Sequence, residues 1–273
     1  VALTSKALEK ASPVTDAPAT SKDHCMQQFN GAATTCGDKA PFHFSNLIAA
    51  NHRKTPTPPS LVTEEEKIPE TVAIPYLATN YGDTDRKKII HATGSIKTAS
   101  LKKALLGIKY SRSLIHAFTV FVFEKGALRG EDGQSIAGNA LAVSLSTDNN
   151  GNVYWNIVPM QDYMKIAVYE HKDTVAFYPY NTSKETVAMM FSNAMLLAEA
   201  KGDTRLRFGL LDNNCIMNSL EILNSVRPED NQVRGCIPQI TARDLQLKGI
   251  VGNPIKVQGN DLLRLEKLFS RMN

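Results

Sequence analysis

Long apolar runs are missing from this 273-residue chain: none approaches the roughly 20 residues that a membrane-spanning helix requires. Dense lysine and arginine blocks are missing too, and basic residues do not alternate with aromatic ones. With a formal net charge of only +4, the chain lacks the electrostatic footprint of a nucleic-acid binder. No Cys-x-x-Cys pair and no Cys/His cluster with zinc spacing occurs, and His43, His52 and His91 share no ligand spacing. No metal and no cofactor is therefore expected. The absence of an internal repeat excludes a solenoid or propeller.

What is present is an ordinary globular composition, with 42% hydrophobic and 21% charged residues. Residues 1–23 are small and polar, with Pro13 and Pro18, and read as a flexible tail. The expected organisation is a tail and disulfide loop over 1–40, an N-terminal extension over 41–110 that packs on the core, and a core domain over 111–273. The four cysteines are Cys25, Cys36, Cys215 and Cys236. Four cysteines allow three pairings, and local pairing would join Cys25 to Cys36 and Cys215 to Cys236. The chain begins at Val1 without methionine. We read this as a signal peptide already removed, which gives a periplasmic or secreted location as the expectation.

Ser100–Leu106 and the residues around it favour helix up to Gly107. The pattern then changes. Residues 113–123 are rich in β-branched and aromatic side chains and predict a central strand. Strands follow over 139–146, 153–158, 164–170 and 175–180, with a turn at Asp148-Asn149-Asn150-Gly151-Asn152. Thr182 and Glu185 have capping-box spacing ahead of a helix whose stripe is Val187, Phe191, Ala194, Met195 and Ala198. A second helix begins behind Asp212-Asn213-Asn214-Cys215 and ends before Arg227-Pro228. Short helices are predicted near 241–245 and 261–269. The pattern predicts an α+β fold with an antiparallel sheet.

Cys215 falls within the first turn of that helix, where backbone N–H groups and the helix dipole favour a thiolate. A cysteine nucleophile needs a base, and His116, in an apolar strand, is the best candidate. The alternatives are a buried structural cysteine and a satisfied core histidine. The order of His116-Ala117-Phe118, Leu141-Ala142-Val143-Ser144-Leu145, Val168-Tyr169-Glu170, Phe177-Tyr178-Pro179 and Asn213-Asn214-Cys215 resembles the permuted papain-like group of NlpC-type cysteine enzymes. Within that group it is most similar to the periplasmic N-terminal domain of Lnb-type lipoprotein N-acyltransferases. Where that family has Ser-Val-Glu followed by an arginine, this chain has Ser144-Leu145-Ser146 and no arginine nearby.

The resemblance implies a permuted papain-like fold in which an antiparallel sheet packs on the cysteine helix. It implies an exported acyltransferase or hydrolase acting through an acyl-thioester, with Cys215 as nucleophile and His116 as base. Asn214, Ser144 and Ser146 would serve the oxyanion or support the pair. The implied partner is a lipid, lipoprotein or cell-wall substrate, with peripheral membrane contact. Two alternatives stay open: a cell-wall amidase or peptidase, and a non-enzymatic binding or structural protein stapled by a Cys215–Cys236 disulfide.

Overall fold

A computed structural model describes residues 60–79, 90–111, 115–147, 153–202 and 214–258, together with Phe269. The strands are β1 (Thr71–Ala78), β2 (His91–Lys97), β3 (Leu101–Tyr110), β4 (Ile115–Phe123), β5 (Arg129–Gly130), β6 (Ala140–Thr147), β7 (Val153–Pro159), β8 (Thr174–Pro179) and β9 (Ile255–Val257). The helices are α1 (Met160–Met164), α2 (Lys184–Gly202), α3 (Cys215–Asn224) and α4 (Pro238–Leu247). The nine strands form one sheet in the order β5-β2-β1-β7-β6-β4-β3-β8-β9. The α+β class expected from the sequence is what the chain adopts. The sheet is mixed rather than antiparallel throughout, because β1 runs parallel to β7 at Leu77 and Ile157.

Strand β4 is apolar at nearly every position because both of its faces are covered. On one face Ala117, Phe121 and Phe123 join Leu106, Ile108, Leu141, Val143, Trp155 and Ile157 under α2, α3 and α4. On the other, Phe118, Val120 and Val122 join Leu105, Ala142, Val158 and Phe177 under Met160, Tyr163, Met164 and Val168. The Phe121 and Phe191 rings meet edge to face at 5.1 Å and tie β4 to α2, a geometry worth about 0.5–1.5 kcal/mol beyond the area buried. Asn193, fully buried on α2, closes a two-way clamp on Val62: its Oδ1 accepts from the Val62 N–H at 2.7 Å and its Nδ2 donates to the Val62 carbonyl at 2.9 Å.

Three sequence expectations change. Residues 101–110 form β3 instead of a helix, paired with β4 on one side and β8 on the other. The helical propensity of Leu-Lys-Lys-Ala-Leu-Leu loses to two complete ladders and to burial of Ala104, Leu106 and Ile108. Strands β1, β2 and β3 of the segment 41–110 thus belong to the core sheet and are not an extension packed on it. Residues 164–170 are helical, not a strand: α1 runs into a π-helical stretch, Lys165–Glu170. Its alternation of Ile166, Val168 and polar residues reads as period two, but Ile166, Ala167 and Val168 are all buried against the sheet. The α2 cap is Ser183, one residue after Thr182; its Oγ accepts from the Thr186 N–H at 3.1 Å. The predicted segments over 1–59, the turn at 148–152 and the helix over 261–268 lie outside the described residues.

Gly107 is fixed by packing. A Cβ there would sit 2.3 Å from the Phe118 ring, which lies across β3 and touches Tyr163 and Phe177. Gly107→Ala is expected to lower stability by about 1–3 kcal/mol, because the ring is enclosed and has no free direction in which to move. Urea unfolding, read as a fall in midpoint at constant slope, checks it.

Candidate functional site

Helix α3 begins as the sequence predicts. Asn214 is extended (φ −110°, ψ 172°) and caps the helix: its Oδ1 accepts from the Met217 N–H at 3.0 Å. The same amide donates from Nδ2 to the Cys236 carbonyl at 3.3 Å, which ties the segment before α4 to the start of α3. Cys215 is thereby held as the first helical residue with its sulfur against β4. The Ala117 N–H donates to Sγ at 3.3 Å.

Cys215 is a buried free thiol. The Cys215–Cys236 disulfide is thereby overturned; Cys236 is disulfide-bonded, but not to Cys215. The other two disulfide candidates, Cys25 and Cys36, lie outside the described residues. Burial pushes the Cys215 thiol above its ordinary value, against the pull of the Ala117, Ile216 and Cys215 N–H groups. Desolvation wins over the helix start, so the thiol form is favoured.

No hydrogen bond joins Cys215 to His116, the expected base, among the described residues. Side chains alternate along a strand. Ala117 shares the packed face of Cys215, whereas His116 shares that of Phe118, on whose ring it stacks at 6.1 Å. The sulfur meets β4 through the Ala117 N–H, while the imidazole stacks on the Phe118 ring. Burial, and after it the charge of Lys109 on the paired strand, hold the His116 pKa down at about 4, so the ring is neutral at pH 7. Ser144 and Ser146 also face away from Cys215. They pair with Asn156 and Tyr154 of β7, and the Asn156 Nδ2 donates to Ser146 Oγ at 3.5 Å. Of the expected site residues that are described, Asn214 caps the Cys215 helix and Cys236 meets that cap through its carbonyl.

Two polar groupings escaped the sequence reading. Beneath α3, Asn218 is 3% exposed, and neither its Oδ1 nor its Nδ2 has a hydrogen-bond partner. On the opposite face, Lys109 Nζ lies 3.6 Å from Asp173 Oδ2, and His171 Nδ1 lies 4.0 Å from the same oxygen. The π-helical stretch places them: the His171 N–H donates to the Ile166 carbonyl and the Asp173 N–H to the Ala167 carbonyl, with Lys172 between them at φ 59°. Such a turn is uncommon, and a non-glycine residue in the left-handed region costs on the order of 1 kcal/mol. Nothing in the spacing His171-Lys172-Asp173 points to it. Lys109 was hidden by the helical appearance of β3.

The depressed His116 pKa sets a direction for stability against pH. The unfolded chain binds the proton with a pKa near 6.5 and the folded chain near 4. The unfolded state thus holds more protons between these values, and stability falls as pH drops through this window. His116→Gln is expected to remove part of that slope, on the order of 2 kcal/mol between pH 6.5 and 4. Paired melting curves of the two proteins across that range check it.

Comparison with known proteins finds no matching family model, no matching curated protein and no matching solved structure, so the functional reading rests on these residues.

Proposed function

We propose that this chain is an exported, non-catalytic binding or structural protein in which Cys215 is a buried structural thiol. The observation that supports this reading is the burial of the Cys215 thiol against the Ala117 N–H, with His116 stacked on Phe118 and not hydrogen-bonded to the sulfur. A sulfur nucleophile needs a base within about 3 Å of its proton, directly or through one water. The group that reaches Cys215 from β4 is an amide N–H, which can take no proton. Burial raises the thiol pKa further. A free cysteine in these surroundings behaves as a small hydrophobe with one weak hydrogen bond. A chain with four cysteines fits an oxidising compartment.

A second reading is an acyltransferase or hydrolase on a permuted papain-like fold. One observation favours it: Cys215 opens a helix packed on the sheet, with amide N–H groups around its sulfur. Those donors could also hold an oxyanion. This reading needs a base other than His116, and Asn214 supplies none.

The two readings part on the reactivity of the thiol. Native protein is treated with iodoacetamide from pH 6 to 10 and the Cys215 peptide is quantified by mass. The structural reading expects labelling at least about 100-fold slower than in urea-unfolded chain, with any rise lying above the pH of an ordinary thiol, about 8.5. Fast labelling with a midpoint below that value would overturn it in favour of the enzyme.

A further inference from the structure

The loop that carries the chain from β8 into α2 holds a triplet that the Cys215 region does not use. Asn181-Thr182-Ser183 is the one Asn-x-Ser/Thr sequence in the chain, and neither Thr182 inside it nor Lys184 after it is a proline. That pattern is the acceptor for transfer of an oligosaccharide to an asparagine amide. Such a triplet also arises by chance, so its place in the fold decides what it is worth. All three residues are exposed, and none belongs to a strand or a helix.

The side chain of Asn181 sits at the rim of the molecule. Its backbone N–H donates to the Ile250 carbonyl at 2.9 Å, and its Nδ2 donates to the Gly249 carbonyl, also at 2.9 Å. The surface beside that carbonyl is open: Gly249 is exposed, and a Cβ built on it would meet nothing within 4 Å. An asparagine amide carries two N–H donors. A sugar on Nδ2 replaces one hydrogen and leaves the other. The modified side chain can thus keep its bond to Gly249 and hold the sugar in solvent. Leu247, 77% exposed, lies two residues before Gly249, and a bulky hydrated group on Asn181 would screen that rim.

The hydroxyl of the triplet has a second duty. Ser183 Oγ accepts from the Thr186 N–H at 3.1 Å and caps α2. In the folded chain that oxygen is engaged; in the extended chain, before α2 forms, it is free.

We propose that Asn181 is an N-glycosylation site, modified before α2 folds. Nδ2 attacks the anomeric carbon of a lipid diphosphate-linked oligosaccharide. The new N–C bond forms as the bond from that carbon to the phosphate oxygen breaks. The lipid diphosphate leaves, and the Nδ2 proton passes to a base of the transferase. The proposal goes beyond the binding reading given above and rests on its exported location.

Mass analysis of the full chain, purified from fractionated source cells, tests it. The chain in the exported fraction is expected to carry a hexosamine-containing adduct on the peptide that includes Asn181. Peptide N-glycosidase should remove the adduct and convert residue 181 to aspartate. Asn181→Gln should abolish the adduct. Two further variants separate the triplet from folding, because both keep a capping side chain on α2. Ser183→Thr retains a hydroxyl and should retain the adduct, whereas Ser183→Asp lacks the hydroxyl and should lose it. An exported chain without the adduct, or an adduct that survives Ser183→Asp, overturns the proposal and leaves the export standing. A chain confined to the cytosol overturns the exported location and the proposal with it.

Discussion

The alternation of side chains along β4 is the constraint on which the rest of the molecule depends. Every second residue of a strand points the same way, so a shift of one position moves a side chain through the sheet. Ala117 and His116 are neighbours in the chain and strangers in space. Ala117 presents its N–H to the Cys215 sulfur, and His116 stacks on Phe118 behind the sheet. Both faces of β4 are buried, and β3 and β6 pair with it on either side.

That constraint decides what the helix start at Cys215 can do. Asn214 caps α3 and its dipole points at the sulfur, which together are the usual means of lowering a thiol pKa. The net direction is upward because desolvation outweighs the three amide donors. A helix start activates a cysteine when water or a charged partner reaches it. Enclosed between α3 and β4, the same start only satisfies the sulfur of a neutral thiol. The orphaned amide of Asn218, one turn further along, shows that this interface holds other polar groups it does not pair among the described residues.

Much of the fold was legible in the sequence, and the misses share one cause. Strands β4, β6, β7 and β8 announce themselves through β-branched and aromatic runs, and α2 and α3 through caps and stripes, because those signals are local. Strand β3 was read as helix, since Leu101-Lys102-Lys103-Ala104-Leu105-Leu106 is locally helical and becomes a strand only through pairing with residues far along the chain. Residues 164–170 failed in the opposite sense: their β-branched composition suggests a strand, and burial against the sheet makes them a π-helix. The surroundings of the candidate pair were illegible for the same reason. A strand pattern identifies which residues alternate, but the pairing of whole strands decides which face meets α3. Lys109 and Asp173 come together from separate segments, as do Asn156 and Ser146, and no spacing in the chain marks them.

The two faces of the sheet differ in what they leave unsettled. The face under α2, α3 and α4 carries the larger apolar cluster and contains the thiol. Among the described residues the opposite face is covered by the segment 160–170 together with Val257 and Phe269. The π-helical stretch closes with Lys172 in the left-handed conformation in which helices commonly stop, and Asp173 follows it inward, where its carboxylate is 7% exposed next to Lys109. A buried ion pair does little for stability, because the desolvation of both ions offsets their attraction.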